Sequence, residues 1–411
     1  MAHSILLSER VGGRRRVALA VVAWIGFVGA CASSVGPARA ADTLSVRAGI
    51  SERVQADDNI RLESDSRGWV FGSTTSLDVD VDSKTPVLDI NLRLGADYNR
   101  FWGPGASSDL NSLDWLTSLG VEKRYIRTLL GARATHRRQA VRESELEDTG
   151  QTVGDAERVT TEAALSAAYD VSSVDRAEVV LDGRYVTFED AEDNLLLNPY
   201  YATSLATQWA RKLNERETGT ARAGFVYFDS ENMADTTSQS FTVGGLYEYQ
   251  ATPRLRLLAG AGIGAVNQQR DVANRGRVST LSPALSFELA ANYVLERTTL
   301  DVSITQDVEP SAGGELRQHR EVRASLGHET SPTTSVHLVA MNISQGTDIG
   351  LSPIEDFERD YTSIEARLSW RIYPDLRLDT GYRFRYEDDQ TGTGLSHAVF
   401  AGLRYGFTLL P

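Results

Sequence analysis

Hydrophobic and polar positions alternate along most of this chain. In the stretch Leu376–Glu387, apolar or aromatic residues and Thr380 hold the even positions, and Gly or charged residues the odd ones. A period of two means a strand with one face in an apolar medium and one in a polar medium. Leu77, Val79 and Val81 alternate in the same way with Asp78, Asp80 and Asp82. Leu88, Ile90, Leu92, Leu94, Ala96 and Tyr98 alternate with Asp89, Asn91, Arg93, Gly95, Asp97 and Asn99, and Ile364–Arg371 repeats the pattern. No stretch after the N-terminal segment sustains helical periodicity. The connections fall into two kinds that strictly alternate. Short ones lie near Ser83–Pro86, Tyr125–Arg127, Ser172–Arg176, Asn214–Glu217, Ala251–Arg254, Leu295–Thr298, Ser331–Thr333 and Tyr373–Asp375. Long ones lie near 54–68, 101–111, 139–157, 189–198, 229–236, 267–277, 308–316, 346–359 and 388–394. Eight short turns and nine long loops predict about 18 strands (16–18), the first near Leu44–Glu52, with both ends on the short-turn side.

A soluble sheet and a membrane barrel both alternate, and the aromatics separate them. Tyr98, Phe101 and Trp102 precede a long loop, as do Tyr185 and Phe188, then Phe225, Tyr227 and Phe228, then Tyr382, Phe384 and Tyr386. Tyr200, Tyr201, Phe241 and Tyr361 follow long loops, and Tyr125, Tyr247, Tyr293, Trp370, Tyr405 and Phe407 gather near short turns. Two aromatic girdles around an aliphatic band are the signature of a lipid-spanning barrel, with short periplasmic turns and long outer loops. The expected fold is therefore all-β: a transmembrane up-and-down antiparallel β-barrel after a cleaved signal peptide. The final strand reaches Phe407, and Thr408–Pro411 extend past this aromatic terminus.

Residues 1–40 read as that signal peptide, leaving 41–411 as the barrel. Arg14, Arg15 and Arg16 precede the apolar run Val17–Ala30, and Ala38-Arg39-Ala40 is an A-x-A cleavage site. Cys31, the single cysteine among 411 residues, follows Val28-Gly29-Ala30, a lipobox-like run that offers lipidation as the competing route. Either route leads out of the cytoplasm. The formal charge is −14, and the signal segment holds five Arg and one Glu, so about −18 remains on the mature chain. That balance argues against nucleic acid as partner.

The inward face carries the candidate chemistry. Arg93, Asp97, Glu365, Arg367, Arg371, Arg377, Asp379, Arg383, Arg385 and Arg404 are the expected pore-lining residues. They form an acidic and a basic sector, and an 18-strand barrel leaves an aqueous channel. The plainer alternative is a solvated lumen whose charges pair across strands. Two loops are acidic, one with Glu143, Glu145, Glu147 and Asp148, the other with Glu189, Asp190, Glu192 and Asp193. Their spacing fits no calcium loop, so a solvated charge run is expected and no metal or other cofactor is implied. Catalysis would need a histidine beside a nucleophile and an orienting acid. His136 and His397, both near the outer rim, have no such sequence neighbours, and no catalytic residues are expected.

Asp57-Asp58-Asn59-Ile60, followed by Gly68-Trp69-Val70-Phe71, Leu77–Asp82 and the Leu88–Tyr98 strand, resembles the outer-membrane beta-barrel porin 2 family, whose members often accompany exopolysaccharide secretion. The resemblance implies a monomeric outer-membrane conduit for hydrophilic solutes or a polysaccharide chain. Its expected partners are outer-membrane lipid and lipopolysaccharide, the barrel assembly machinery and periplasmic export components. Two other readings are a non-conducting structural or adhesive barrel that works through its acidic loops, and a barrel hydrolase using His136 or His397.

Overall fold

The computed structural model describes residues 43–107, 110–142, 144, 156–189, 197–231, 235–272, 276–346, 359–389 and 392–410. Residues 1–40, the expected signal segment with Cys31, lie outside them, as do Glu143, Glu145, Glu147, Asp148, Asp190, Glu192 and Asp193 of the acidic loops.

Eighteen antiparallel strands follow in chain order. They are β1 (Thr43–Asp57), β2 (Val70–Lys84), β3 (Leu88–Trp102), β4 (Ser112–Arg124), β5 (Thr128–Ala140), β6 (Glu157–Asp170), β7 (Asp175–Glu189), β8 (Tyr200–Lys212) and β9 (Glu217–Ser230). The second half holds β10 (Thr236–Thr252), β11 (Leu255–Val272), β12 (Gly276–Val294), β13 (Thr298–Pro310), β14 (Leu316–Ser331), β15 (Thr334–Gly346), β16 (Arg359–Tyr373), β17 (Leu376–Asp389) and β18 (Gly392–Leu410). Each pairs with its chain neighbours, and β1 pairs with β18. Closure, which is what a lipid medium demands, pairs each strand on both sides through the membrane band, except for the upper part of β12.

Turn chemistry explains the tight connections. A hydroxyl at the turn's start accepts from the backbone N–H three residues on: Thr85 from Leu88 at 2.8 Å, Ser172 from Asp175 at 3.0 Å, Thr252 from Leu255 at 3.0 Å. Register puts the apolar face outward, where Leu77, Ile263, Leu281, Leu285 and Val399 are more than half exposed. In this band Glu52 of β1 is a lipid-facing carboxylate. The hydroxyls of Ser73 and Thr75 both donate to it, which softens the cost of a charge on this face.

The structure corrects the boundaries and girdles in three places. The expected loop 267–277 is largely strand, because β11 and β12 continue their ladder up to Val272 opposite Gly276. Its polar residues hid the hairpin, since a strand wet on both faces shows no alternation. Thr408–Leu410 likewise belong to β18, which pairs with β1 through a register shift between Val46 and Arg47. Phe101, Phe188, Tyr200, Phe228 and Tyr361 do not join the outer girdle but take the inward phase. Adjacent aromatics in a strand cannot both face lipid, so Trp102, Tyr201 and Tyr227 take the outward phase and their neighbours turn in.

Candidate pore

Among the described residues, two segments between strands fold into the outer half of the barrel, and Val141 and Ala156 at the ends of the β5–β6 connection pack beside the second. The first is the β1–β2 connection, 58–69, here called the lid. Asp57 at its base is fully buried, and its carboxylate accepts from Arg385 Nη2 at 2.7 Å, from Ser396 Oγ at 2.8 Å and from the Asn59 N–H at 2.9 Å. The guanidinium of Arg385 also donates to Ser396 Oγ and to the Ile60 carbonyl. Asp58 extends the β1–β18 ladder: its N–H donates to the His397 carbonyl, and its side chain accepts from the His397 N–H at 2.7 Å. Asn59 closes the turn, donating from Nδ2 to the carbonyls of Glu63 and Leu395 and accepting from the Glu63 N–H. Ile60 then packs on Val70, Phe101 and Leu110, and Leu62 on Met341, Ile343 and Tyr361 of β15 and β16. Leu62 sits at φ 55°, a strained conformation for a branched side chain that its packing has to hold. Gly394 makes room beneath it, since a Cβ there would lie 1.8 Å from the Leu62 carbonyl oxygen.

The second segment is the tip of the β13–β14 hairpin. The β12–β13 ladder stops at Phe287 opposite Gln306, whereas β13 and β14 stay paired to Pro310 opposite Leu316. Above the break the hairpin leaves the wall and lies against its inner side. Val308 and Leu316 pack on Val186, Tyr200, Phe228, Val266 and Ala284, which are inward residues of β7, β8, β9, β11 and β12. Asn198 ties the tip down with bonds to the carbonyls of Ala312 and Gly313. The upper part of β12 is left with a ladder on one side, and Pro283, which has no N–H to give, lies in that part.

Below these segments the inner face is charged. All ten expected pore-lining residues take the inward phase. Arg385 is covered by the lid, its side chain 6% exposed, and it borders the cavity beneath. Acidic β2 is matched rung by rung: Arg404 meets Asp78 at 3.2 Å, Arg93 meets Asp80 at 2.8 Å and Arg47 meets Asp82 at 2.7 Å. Asp97 stands opposite Asp114, and Glu365 opposite Arg383 without closing an ion pair. Asp379 accepts from the hydroxyl of Ser369. Beneath the lid lies a cavity of about 510 Å³ bordered by Arg53, Asp97, Asp114, Arg367, Arg383 and Phe400, where the Arg53 guanidinium sits 3.9 Å from the Phe400 ring centre.

The two rim histidines face the opposite way. His397 shares a 2.7 Å hydrogen bond with Tyr382 Oη on the lipid-facing surface, and His136 sits beside Trp115 and 2.8 Å from Thr161 Oγ1. Among the described residues, neither imidazole ring has a serine or a carboxylate as hydrogen-bond partner. Glu189, the described member of the acidic loops, lies 3.1 Å from Arg138.

A closed barrel with an apolar outer band, aromatic girdles and a charged interior is a transmembrane barrel of the outer-membrane type. No family model matches the chain, and no curated protein does. Among solved structures, the chain is similar to the copper transporter OprC at 10% identity and a TM-score of 0.48, covering 87% of this chain and 65% of OprC, less than two thirds of its length. It is similar to OccAB3 of Acinetobacter baumannii at 11% identity and a TM-score of 0.47, covering 89% and 99% of the two chains. A BenF-like porin of Pseudomonas fluorescens Pf-5 matches at 9% identity and a TM-score of 0.46, again covering 89% and 99%. Likeness at this level carries nothing about what this chain transports.

Proposed function

We propose that this chain is an outer-membrane channel for hydrophilic solutes and, more finely, the outer-membrane conduit of an exopolysaccharide export system. The observation that carries the channel is the polar inner face, which runs from the short-turn mouth through Arg371, Arg377, Asp379 and Arg367 to the cavity under the lid. A charged wall keeps water in the lumen and makes entry costly for apolar solutes. Lid and hairpin then narrow the outer half. The polysaccharide part rests on the resemblance borne by Asp57-Asp58-Asn59-Ile60, and it brings periplasmic export components in as partners. Lipopolysaccharide around the outer girdle and the barrel assembly machinery are the other partners of this reading.

A second reading, a non-conducting barrel, draws its support from the two inward segments themselves. Planar-bilayer recording separates them. The channel reading expects discrete conductance steps and retarded passage of neutral oligosaccharides added to the bath. Absence of steps from correctly folded barrel favours the closed one.

A further inference from the structure

The acidic strand β2 is neutralised by arginines that reach it from β1, β3 and β18. On β16 and β17 the outer arginines, Arg359 and Arg385, are paired with Glu387, Asp389 and Asp57, and the arginines nearer the short turn are not matched in this way. Arg371 of β16 stands directly opposite Arg377 of β17, and Arg377 stands directly opposite Arg404 of β18. Three arginines are therefore abreast on one rung, on neighbouring strands about 4.8 Å apart, with the Arg404 guanidinium turned toward Asp78. Like charges placed directly opposite each other destabilise a sheet. Arg404 is shared with Asp78, but among the described residues Arg371 and Arg377 form no ion pair. All three border one cavity of about 500 Å³ at the short-turn end, next to the Pro374-Asp375 turn. Its other acids, Asp78 and Asp80, are already held by Arg404 and Arg93, and Asp375 belongs to the turn. Arg367, four residues up β16 from Arg371, and Arg383, six residues up β17 from Arg377, continue the series toward the cavity under the lid, and neither closes an ion pair among the described residues.

We propose that the rung Arg371–Arg377–Arg404 is a carboxylate-binding site at the periplasmic mouth, and that the solute it takes is an acidic sugar chain. Guanidinium forks match carboxylates in a bidentate manner, and two neighbouring forks without their own acids leave that geometry open to a ligand. The repulsion within the rung is relieved when an anion binds, so the site is strained when empty and matched when filled. Arg367 and Arg383 offer the next carboxylate of a chain a place further up the wall. That the solute is a sugar chain, and its direction from the periplasm inward, rest on the conduit reading; the carboxylate-binding site itself does not.

The test uses the full barrel in detergent and two probes of equal length, trigalacturonate and maltotriose. Calorimetric titration is expected to show saturable binding of trigalacturonate that weakens with added salt, and none of maltotriose. Arg371→Gln with Arg377→Gln should weaken trigalacturonate binding roughly tenfold or more, in line with the loss of charge-assisted hydrogen bonds. The same variant should melt no lower than the wild type, because it removes a like-charge rung, so lost binding is not lost folding. Equal affinity for the two probes, or unchanged affinity in the variant, overturns the site. Bilayer recording keeps the two proposals apart. Binding without conductance steps sinks the conduit and leaves the site, and steps without selective binding do the reverse.

Discussion

The lid and the hairpin tip enter the same half of the barrel, and both combine apolar packing with polar bonds. The lid adds a buried charge pair at its base, where Asp57, Arg385, Ser396 and Asn59 form one hydrogen-bonded network. The hairpin tip lays Val308 and Leu316 over Phe228, Val266 and Ala284, with Asn198 and the Arg270–Glu315 pair at its more exposed side. Apolar packing is non-directional and fails gradually as contacts are lost. A buried charge pair fails as a unit, because removing one partner strands the other. Loss of the latch is thus expected to free the lid as a whole and to leave the hairpin tip in place.

Four substitutions bear on that contrast, each read by hydrogen exchange of lid and hairpin amides in the folded barrel. The largest effect is expected from Arg385→Met, which leaves Asp57 buried without its cation and should weaken lid attachment by about 3–5 kcal/mol. Lid amides should lose protection while hairpin amides keep theirs; unchanged lid protection would break the latch. Leu316→Ala should loosen the hairpin tip by about 3 kcal/mol and spare the lid. If both segments open together, they are one unit and the contrast is false. Gly394→Ala drives a methyl group into the Leu62 carbonyl and should cost the lid about 2 kcal/mol, with no polar bond removed. The smallest effect belongs to Arg67→Ala. The Arg67–Glu63 pair is exposed, so its loss should stay under about 0.5 kcal/mol, and a larger effect would mean the lid is held at its tip as well as its base.

Strand number, closure, turn positions and the phase of the pore-facing charges were legible in the sequence, because period-two alternation and turn chemistry are local. The inward segments were not, since they depend on contacts between distant positions such as Asp57 with Arg385 or Asn198 with Ala312. Two local signals did point to them. Phe101-Trp102, Tyr200-Tyr201 and Tyr227-Phe228 place aromatics on both faces of a wall strand, which needs something apolar inside the barrel to receive the inward one. The loop between β13 and β14 carries Ala312 between flanking Val308 and Leu316, more apolar surface than a water-bathed loop has use for. Asp57-Asp58-Asn59-Ile60, read only as a mark of resemblance, has a physical role at each position: latch, ladder extension, turn closure and apolar anchor.

Single-channel recording of the wild type beside Arg385→Met tests the central claim most directly, namely a polar lumen whose outer end is narrowed by a latch-held lid. The account predicts conductance steps from the wild type and clearly larger steps once the latch is broken. Silence from both proteins, with the barrel folded, would contradict it.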